Sequence, residues 1–487
     1  MISRGAQVEH AEFGIGKVLA VLGSTATIEF FGEKLDVEVG ELVVRASGNG
    51  TAAVSANGQP NTDLSFRRSF EAVNVGVVPA DPDQLVNLTI GGAAVSNVIC
   101  SLLQDAPKTG ASRIFTGYYG SGKSHHLRLV KAIALREGWV TASLELDPKA
   151  ADPAKPSSVY PELLAGLEFP MRRDGTRSED FFDLIKEIRD NWTKVQSLNY
   201  FRRSPWFSKG LLALQYLSHR RDDPYYVSAV SWLAGQVKQI RAIRSISWRA
   251  GYRGPIRNMP QSKDTGLLYA YHLVVLHEAI QSLGYRGLAI IIDEADHVRA
   301  YSANRYSRAN NFFDILARCA HPPRKDLCDP HCDHDVSELP PFWREGPHFC
   351  LFVGLTEGED TEKLRRKGGE MSVLIHSPDD VVQLEPPSPE DYEAWSNAFL
   401  AEAAKRLGPK VGVLSDPDLR GRIAGALREH FEQTPNSERL LRNWTKMVGF
   451  PAAVLMSQPR PIGGEELVAI VQDAARQLTG EVYPWDA

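Results

Sequence analysis

Cysteine is scarce. Five residues in a chain of 487 cannot supply the disulfide framework that holds small secreted domains together. Long apolar runs are missing too: no segment reaches the ~18 uninterrupted apolar residues that read as a membrane span. The opening MISRGAQVEH contains no apolar signal core. No internal repeats are seen. A soluble, cytoplasmic protein with no membrane partner is the expectation. Net charge is also small, -5, and by itself points to no polyanion. What is present is a hydrophobic fraction of 43%, enough for folded cores, and a length that suits two to four domains.

The small net charge hides an asymmetry. Between Asn191 and Pro260 stand twelve cations: Lys194, Arg202, Arg203, Lys209, Arg220, Arg221, Lys238, Arg241, Arg244, Arg249, Arg253 and Arg257. Only Asp222 and Asp223 oppose them, so this window carries +10 and the remainder -15. Aromatic residues interleave with the cations: Trp192, Tyr200, Phe201, Trp206, Tyr216, Trp232, Trp248 and Tyr252. Cations neutralise phosphates and aromatics stack on unpaired bases, so DNA is the expected partner of residues 191–260. Two plainer readings stay open. The aromatics form a helical core under a solvated basic face, or the cations meet acidic surfaces of neighbouring subunits.

Periodicity divides the chain. KVLAVLG, TATIEFFG and EKLDVEVGEL are short β segments broken by glycine, and residues 1–46 are expected to form a small SH3/Tudor-like β barrel. Residues 47–64, rich in Gly, Ser, Ala and Asn, read as a flexible linker. Strands are expected at 113–117, 139–147, 287–296, 347–357 and 381–386, with a helix after the first. This alternation predicts a three-layer α/β core over 65–387, with a mostly helical insertion at about 158–283. Residues 388–487 read as a helical lid.

The first of these strands runs into Gly117-Tyr118-Tyr119-Gly120-Ser121-Gly122-Lys123-Ser124, the pattern G-x-x-x-x-G-K-S, and His125 follows within the helix. Glycines let backbone N–H groups turn toward a phosphate, and the helix N-terminus adds partial positive charge. Lys123 supplies a full charge for the β/γ oxygens of ATP, and Ser124 a hydroxyl for Mg²⁺. The strand GLAIIIDEAD contributes Asp293 for the same Mg²⁺ and Glu294 to polarise the attacking water. The letters D-E-A-D suggest a DEAD-box helicase, but its S-A-T and late H-R-x-G-R segments are missing. Thr356 ends a strand where AAA+ ATPases place a sensor of the γ-phosphate; an ordinary strand-end threonine is the alternative. Arg365 and Arg366 are candidates for an arginine finger reaching a neighbouring subunit. Arg439 is the candidate second sensor on the lid, with Arg442 one turn later competing.

Five segments, in order, resemble the ATP-binding proteins of bacterial BREX-type phage-defence systems, the BrxD-like P-loop group. They are RRSFEAVNVGVVP (67–79), FTGYYGSGKSHHLRLVKAIALREGWVTASLELDP (115–148), KPSSVYPELL (155–164), WLAGQ (232–236) and SLGYRGLAIIIDEAD (282–296). The resemblance spans about residues 66 to 450. It implies a P-loop NTPase of AAA+/STAND-like type that hydrolyses ATP, forms a homo-oligomer, and works with DNA and a helicase or nuclease of its system. The lid departs from the family's N-P-R, reading Pro435-Asn436-Ser437-Glu438-Arg439. GAQVEHAEFGIGKVLAVLG resembles the Tudor-like C-terminal module of UvrD/PcrA-type helicases, a docking module for protein partners. Two other function classes remain: a nucleotide-controlled scaffold with little hydrolysis, and a STAND-like sensor that recruits effectors. Cys319, His321, Cys328, His331, Cys332 and His334 offer enough ligands for a zinc ion, but C-x₈-C-x₃-C lacks the usual C-x₂-C knuckle.

Overall fold

In the computed structural model, the backbone is described for five strands within residues 7–44. Residues 62–479 are described apart from 80–81, 173–175, 216–222, 237–240, 242–243, 246–247, 249–250, 259–264, 324–329, 331–338, 357–379, 386 and 436–439. The chain divides into two units, Met1–Ser65 and Phe66–Ala487.

In the first unit the β-branched segments pair as an antiparallel sheet. Its strands are β1 (Gln7–His10), β2 (Gly14–Leu22), β3 (Thr25–Phe30), β4 (Glu33–Glu38) and β5 (Leu42–Val44). The order is β4-β3-β2-β1-β5, so β1 holds both β2 and the returning β5.

The second unit is built on a six-stranded sheet: β6 (Ala111–Gly117), β7 (Val140–Glu145), β8 (Leu167–Glu168), β9 (Leu288–Asp293), β10 (Cys350–Thr356) and β11 (Val381–Gln383). Five are parallel and the short β8 is antiparallel, in the order β11-β6-β10-β9-β7-β8. Both faces are covered, which is why β9 and β10 are continuous apolar runs. Along β9, Ile290 and Ile292 face one core while Ala289 and Ile291 face the other. The helices Gly92–Thr109 and Lys123–Arg136 cover one face; Gly266–Ser282 and Ala303–Ala320 belong to the core on the other. The result is a mixed α/β fold of P-loop type.

Apart from the short strand β8, the described elements within residues 158–283 are helices, and the shorter ones share a core with the last, Gly266–Ser282, which is apolar almost all round and buried. Glu278 on that helix accepts from the backbone N–H groups of Asn199, Tyr200 and Phe201, at 2.8, 2.9 and 3.0 Å. It thereby satisfies the start of an insertion helix that lacks a cap of its own.

Among the described residues, four α-helices follow the sheet: Pro389–Arg406, Pro417–Gln433, Leu441–Ser457 and Gly464–Thr479. Their core is completed by a helix from before the sheet, Thr62–Asn74, through Phe66, Phe70 and Val73. The Phe70 ring stacks on Phe399 at 5.7 Å, and Phe66 lies 6.5 Å from the same ring.

Two buried histidines give this unit a defined acid response. His272 sits among the rings of Tyr160, Trp206, Phe207 and Tyr269, and burial lowers its pKa to about 3. His277 accepts from the Leu288 N–H through Nδ1 at 3.1 Å; burial and then His348 lower it likewise to about 3. Both rings stay neutral in the fold but protonate near 6.5 once unfolded. The unfolded chain therefore binds more protons between pH 6.5 and 3, and stability falls as pH drops through that window. At pH 5 the expected loss is about 2 kcal/mol per histidine. Melting curves from pH 7.5 to 5 will show it, and His272→Phe should flatten the slope. An unchanged slope in that variant would contradict the neutral buried ring.

Candidate nucleotide-binding site

The parallel strands open their C-terminal ends on one edge, where an α/β sheet receives ligands. Register aligns the pieces: Thr356 pairs with Gly117 across β10 and β6, Val353 with Ile292 across β10 and β9, and Glu145 with Asp293 across β7 and β9. The loop after β6 turns into its helix through Gly120 and Gly122, at φ 78° and 93°, a backbone that disfavours any side chain. Lys123 folds back over this loop, its amine donating to the carbonyls of Gly117 at 3.1 Å and Tyr118 at 2.9 Å. Ser121 Oγ is buried without a hydrogen-bond partner.

A cavity of about 630 Å³ gathers most of the residues singled out in the sequence. Tyr119, Gly120, Ser121, Gly122, Lys123, Ser124, His125, Asp293, Glu294 and Thr356 all line it. Gly117 and Tyr118 stand behind it and hold the lysine. Asp293 needs Gly354 opposite: a Cβ there would lie 2.6 Å from Asp293 Oδ1. Glu294 adopts φ 55°, the one left-handed non-glycine among the described residues. Its Oε2 lies 2.6 Å from His297 Nε2. The Thr356 N–H donates to Asp296 Oδ1 at 3.1 Å.

His125 differs from a phosphate-binding cation. Burial, then the charges of His126 and Arg128, lower its pKa to about 3, so the ring is neutral. Its Nε2 lies 2.6 Å from Thr89 Oγ1, and that hydroxyl donates to the Leu85 carbonyl at 2.5 Å. With the threonine proton committed there, the imidazole donates. His125 thus fastens the phosphate-loop helix to the segment before the sheet.

That segment is the part of the wall which sequence reasoning missed. Val73, Gly76, Val77, Val78 and Pro79, with Leu88, Ile90 and Val95, make an apolar side to the cavity. The signal was the apolar run Val75–Pro79 after the first helix, which carries no spacing that announces a ligand. From the helices after the sheet come Asp391, Trp395, Leu441, Arg442 and Thr445. Arg442, the competitor among the sensor candidates, lines the cavity; Arg439, Arg365 and Arg366 lie outside the described residues. Asp296, the last residue of the expected strand 287–296, and His297, just beyond it, carry no signal in the sequence that marks them as part of the site.

The charges suit a nucleotide with a divalent cation. Four carboxylates line the cavity, Asp293, Glu294, Glu385 and Asp391, against the cations Lys123 and Arg442. A polyphosphate entering such a cavity needs a counter-charge, and the hydroxyl of Ser124 with the carboxylate of Asp293 are hard oxygen donors that suit Mg²⁺. No group of three His, Cys, Asp or Glu residues suited to a metal occurs among the described residues. Cys319 is buried, with its thiol pKa pushed up by burial, and Ser112 Oγ meets His321 Nε2 at 2.8 Å. The other four residues of the zinc reading lie outside the described residues. No helix among the described residues is long and apolar enough to cross a membrane.

The comparisons with known proteins agree with the cavity. The family described as BREX system ATP-binding protein BrxC/D matches residues 66–188 and 183–321. The match takes in the apolar wall, the phosphate loop, the insertion and the acidic strand. Neither the curated proteins nor the solved structures give a match. Since the family match covers more than half of the chain, the protein belongs to the BrxC/D family of BREX system ATP-binding proteins.

Proposed function

We propose that this protein is an Mg-ATP-hydrolysing ATPase of a bacterial phage-defence system, in the manner of AAA+ enzymes. One observation carries the reading: Lys123 and Ser124 from the loop open on the same cavity as Asp293 and Glu294 from the acidic strand. In this reading the Lys123 amine leaves the carbonyls of Gly117 and Tyr118 for the β- and γ-phosphates of ATP. The loop N–H groups turn to the same oxygens. Magnesium held by Ser124 and Asp293 would neutralise charge developing on the phosphates. Glu294 polarises the water that attacks the γ-phosphorus, and Thr356 touches the γ-phosphate. Arg442 or Arg439 closes from the lid, and Arg365 or Arg366 completes the site of the next subunit in an oligomer.

The insertion is the proposed DNA-facing surface. Its described cations, Lys194, Arg202, Arg203, Lys209, Arg241, Arg244, Arg253 and Arg257, are all exposed. Phe201, Trp206, Trp232 and Tyr252 are buried, as the plainer reading of the aromatics expects, whereas Trp248 is 58% exposed. The Arg253 guanidinium lies 3.9 Å from the centre of the Trp248 ring. A cation stacked on an exposed indole suits a phosphate chain with an unpaired base. The N-terminal sheet is the proposed docking module for a helicase or another protein of the system.

The test is ATP hydrolysis by the purified protein with duplex or single-stranded DNA, at about 50 and 200 mM salt. DNA is expected to raise turnover several-fold at low salt, with the effect largely lost at high salt, because phosphate contacts release counterions. No response at either salt would remove DNA from the reading. Slow turnover that a partner protein does not raise would favour the nucleotide-controlled scaffold.

A further inference from the structure

The short helical turn Ala295–Ala300 follows the acidic strand directly and is anchored by Ala295 and Val298, both buried. It makes two contacts with the site. Asp296 Oδ1 accepts from the N–H of Thr356, at the end of the neighbouring strand β10. His297 Nε2 lies 2.6 Å from Glu294 Oε2, one turn earlier. A carboxylate can only accept, so the imidazole donates. Glu294 borders the cavity, and His297 is not part of that wall.

We infer that His297 is a positioning residue for hydrolysis: it fixes one carboxylate oxygen of Glu294 so that the other faces the cavity. The inference rests on the reading of Glu294 as the residue that polarises water. A glutamate side chain has several rotamers, and Glu294, 46% exposed, has no close packing to choose among them. Its left-handed backbone sets the direction in which the side chain leaves the strand. The His297 hydrogen bond supplies the missing constraint, in the pattern of a base oriented by a further group. Because the same turn is tied to Thr356 through Asp296, Glu294 is held at a fixed distance from the strand end proposed to touch the γ-phosphate. Misplacing a reacting group by about 1 Å costs on the order of 100-fold in rate.

The experiment compares the full-length wild type with His297→Ala, His297→Gln and Glu294→Gln, measuring kcat, KM and direct ATP binding. His297→Ala is expected to lower kcat about 10- to 100-fold, with KM and ATP affinity within about twofold of wild type. His297→Gln retains an N–H donor at similar reach and should return kcat to within about threefold of wild type. A merely structural role would lower ATP affinity or melting temperature together with kcat and would not be rescued by glutamine. Wild-type or higher kcat in His297→Ala, or no rescue by glutamine, overturns the inference. If Glu294→Gln is inactive while His297→Ala is fully active, only the positioning role falls. If Glu294→Gln turns over like the wild type, the water-polarising role falls and this inference with it.

Discussion

Lys123→Ala should abolish ATP binding, with affinity falling about 100-fold or more. The amine is the one full positive charge that the phosphate loop brings to the cavity, and it stands among four carboxylates. Without it, the phosphates meet a wall whose remaining cation is Arg442, from the lid. A charge-assisted contact to phosphate lost in a partly desolvated cavity is worth about 3 kcal/mol, which is the same factor of 100. In the empty protein the amine donates to the Gly117 and Tyr118 carbonyls of its own loop, local contacts whose removal should change the melting temperature little. Titration with a fluorescent ATP analogue reads the first expectation, and a melting curve the second. Wild-type affinity in a folded Lys123→Ala protein would rule the loop out as the phosphate site.

Glu294→Gln should separate binding from chemistry. Glutamine has the same shape and can still accept from His297 through its amide oxygen, so the left-handed turn and the cavity should persist. What it lacks is the negative charge that, in the proposed mechanism, draws a proton from the attacking water. General-base assistance is worth about 10² to 10⁴ in rate, so turnover should fall by that factor while ATP affinity stays within about threefold. The same variant should hold ATP long enough for any ATP-dependent oligomer to be seen by light scattering. Equal turnover in the variant and the wild type would show that another group polarises the water.

The contiguous parts of this site were legible in the sequence. A β strand, glycines at the required spacing, Lys123 and Ser124 all lie within one short stretch. An apolar run ending in Asp293 and Glu294 announces the second half. Strand order was not legible, because the insertion of β10 between β6 and β9 is a pairing of segments more than two hundred residues apart. The apolar wall was hidden for a different reason. Val77, Val78 and Ile90 qualify only because the fold turns them toward the loop, and nothing in their spacing says so. His125 is adjacent to the loop motif and lines the cavity, but its contact with Thr89 and the burial that keeps its ring neutral depend on the fold and could not be seen in the letters. In the insertion, the letters could not separate Trp248 from Trp232, which differ in environment and not in type.

The helix Thr62–Asn74 has a consequence for the order of synthesis. Its aromatic face, Phe66 and Phe70, closes on Phe399, roughly 330 residues further along the chain. At about 5 to 20 residues per second, the ribosome leaves that face without its partner for roughly 15 to 65 s. During this interval the phosphate loop and the acidic strand have already emerged, but Trp395 and Arg442 have not. A nascent chain can therefore assemble the sheet early and yet have no complete nucleotide cavity until nearly the whole protein is made. Premature termination anywhere before the last helices would leave fragments with an exposed aromatic helix and an unfinished site. Such fragments would expose apolar surface of the kind chaperones and proteases act on, and the cavity wall would be complete only in chains synthesised through Thr445.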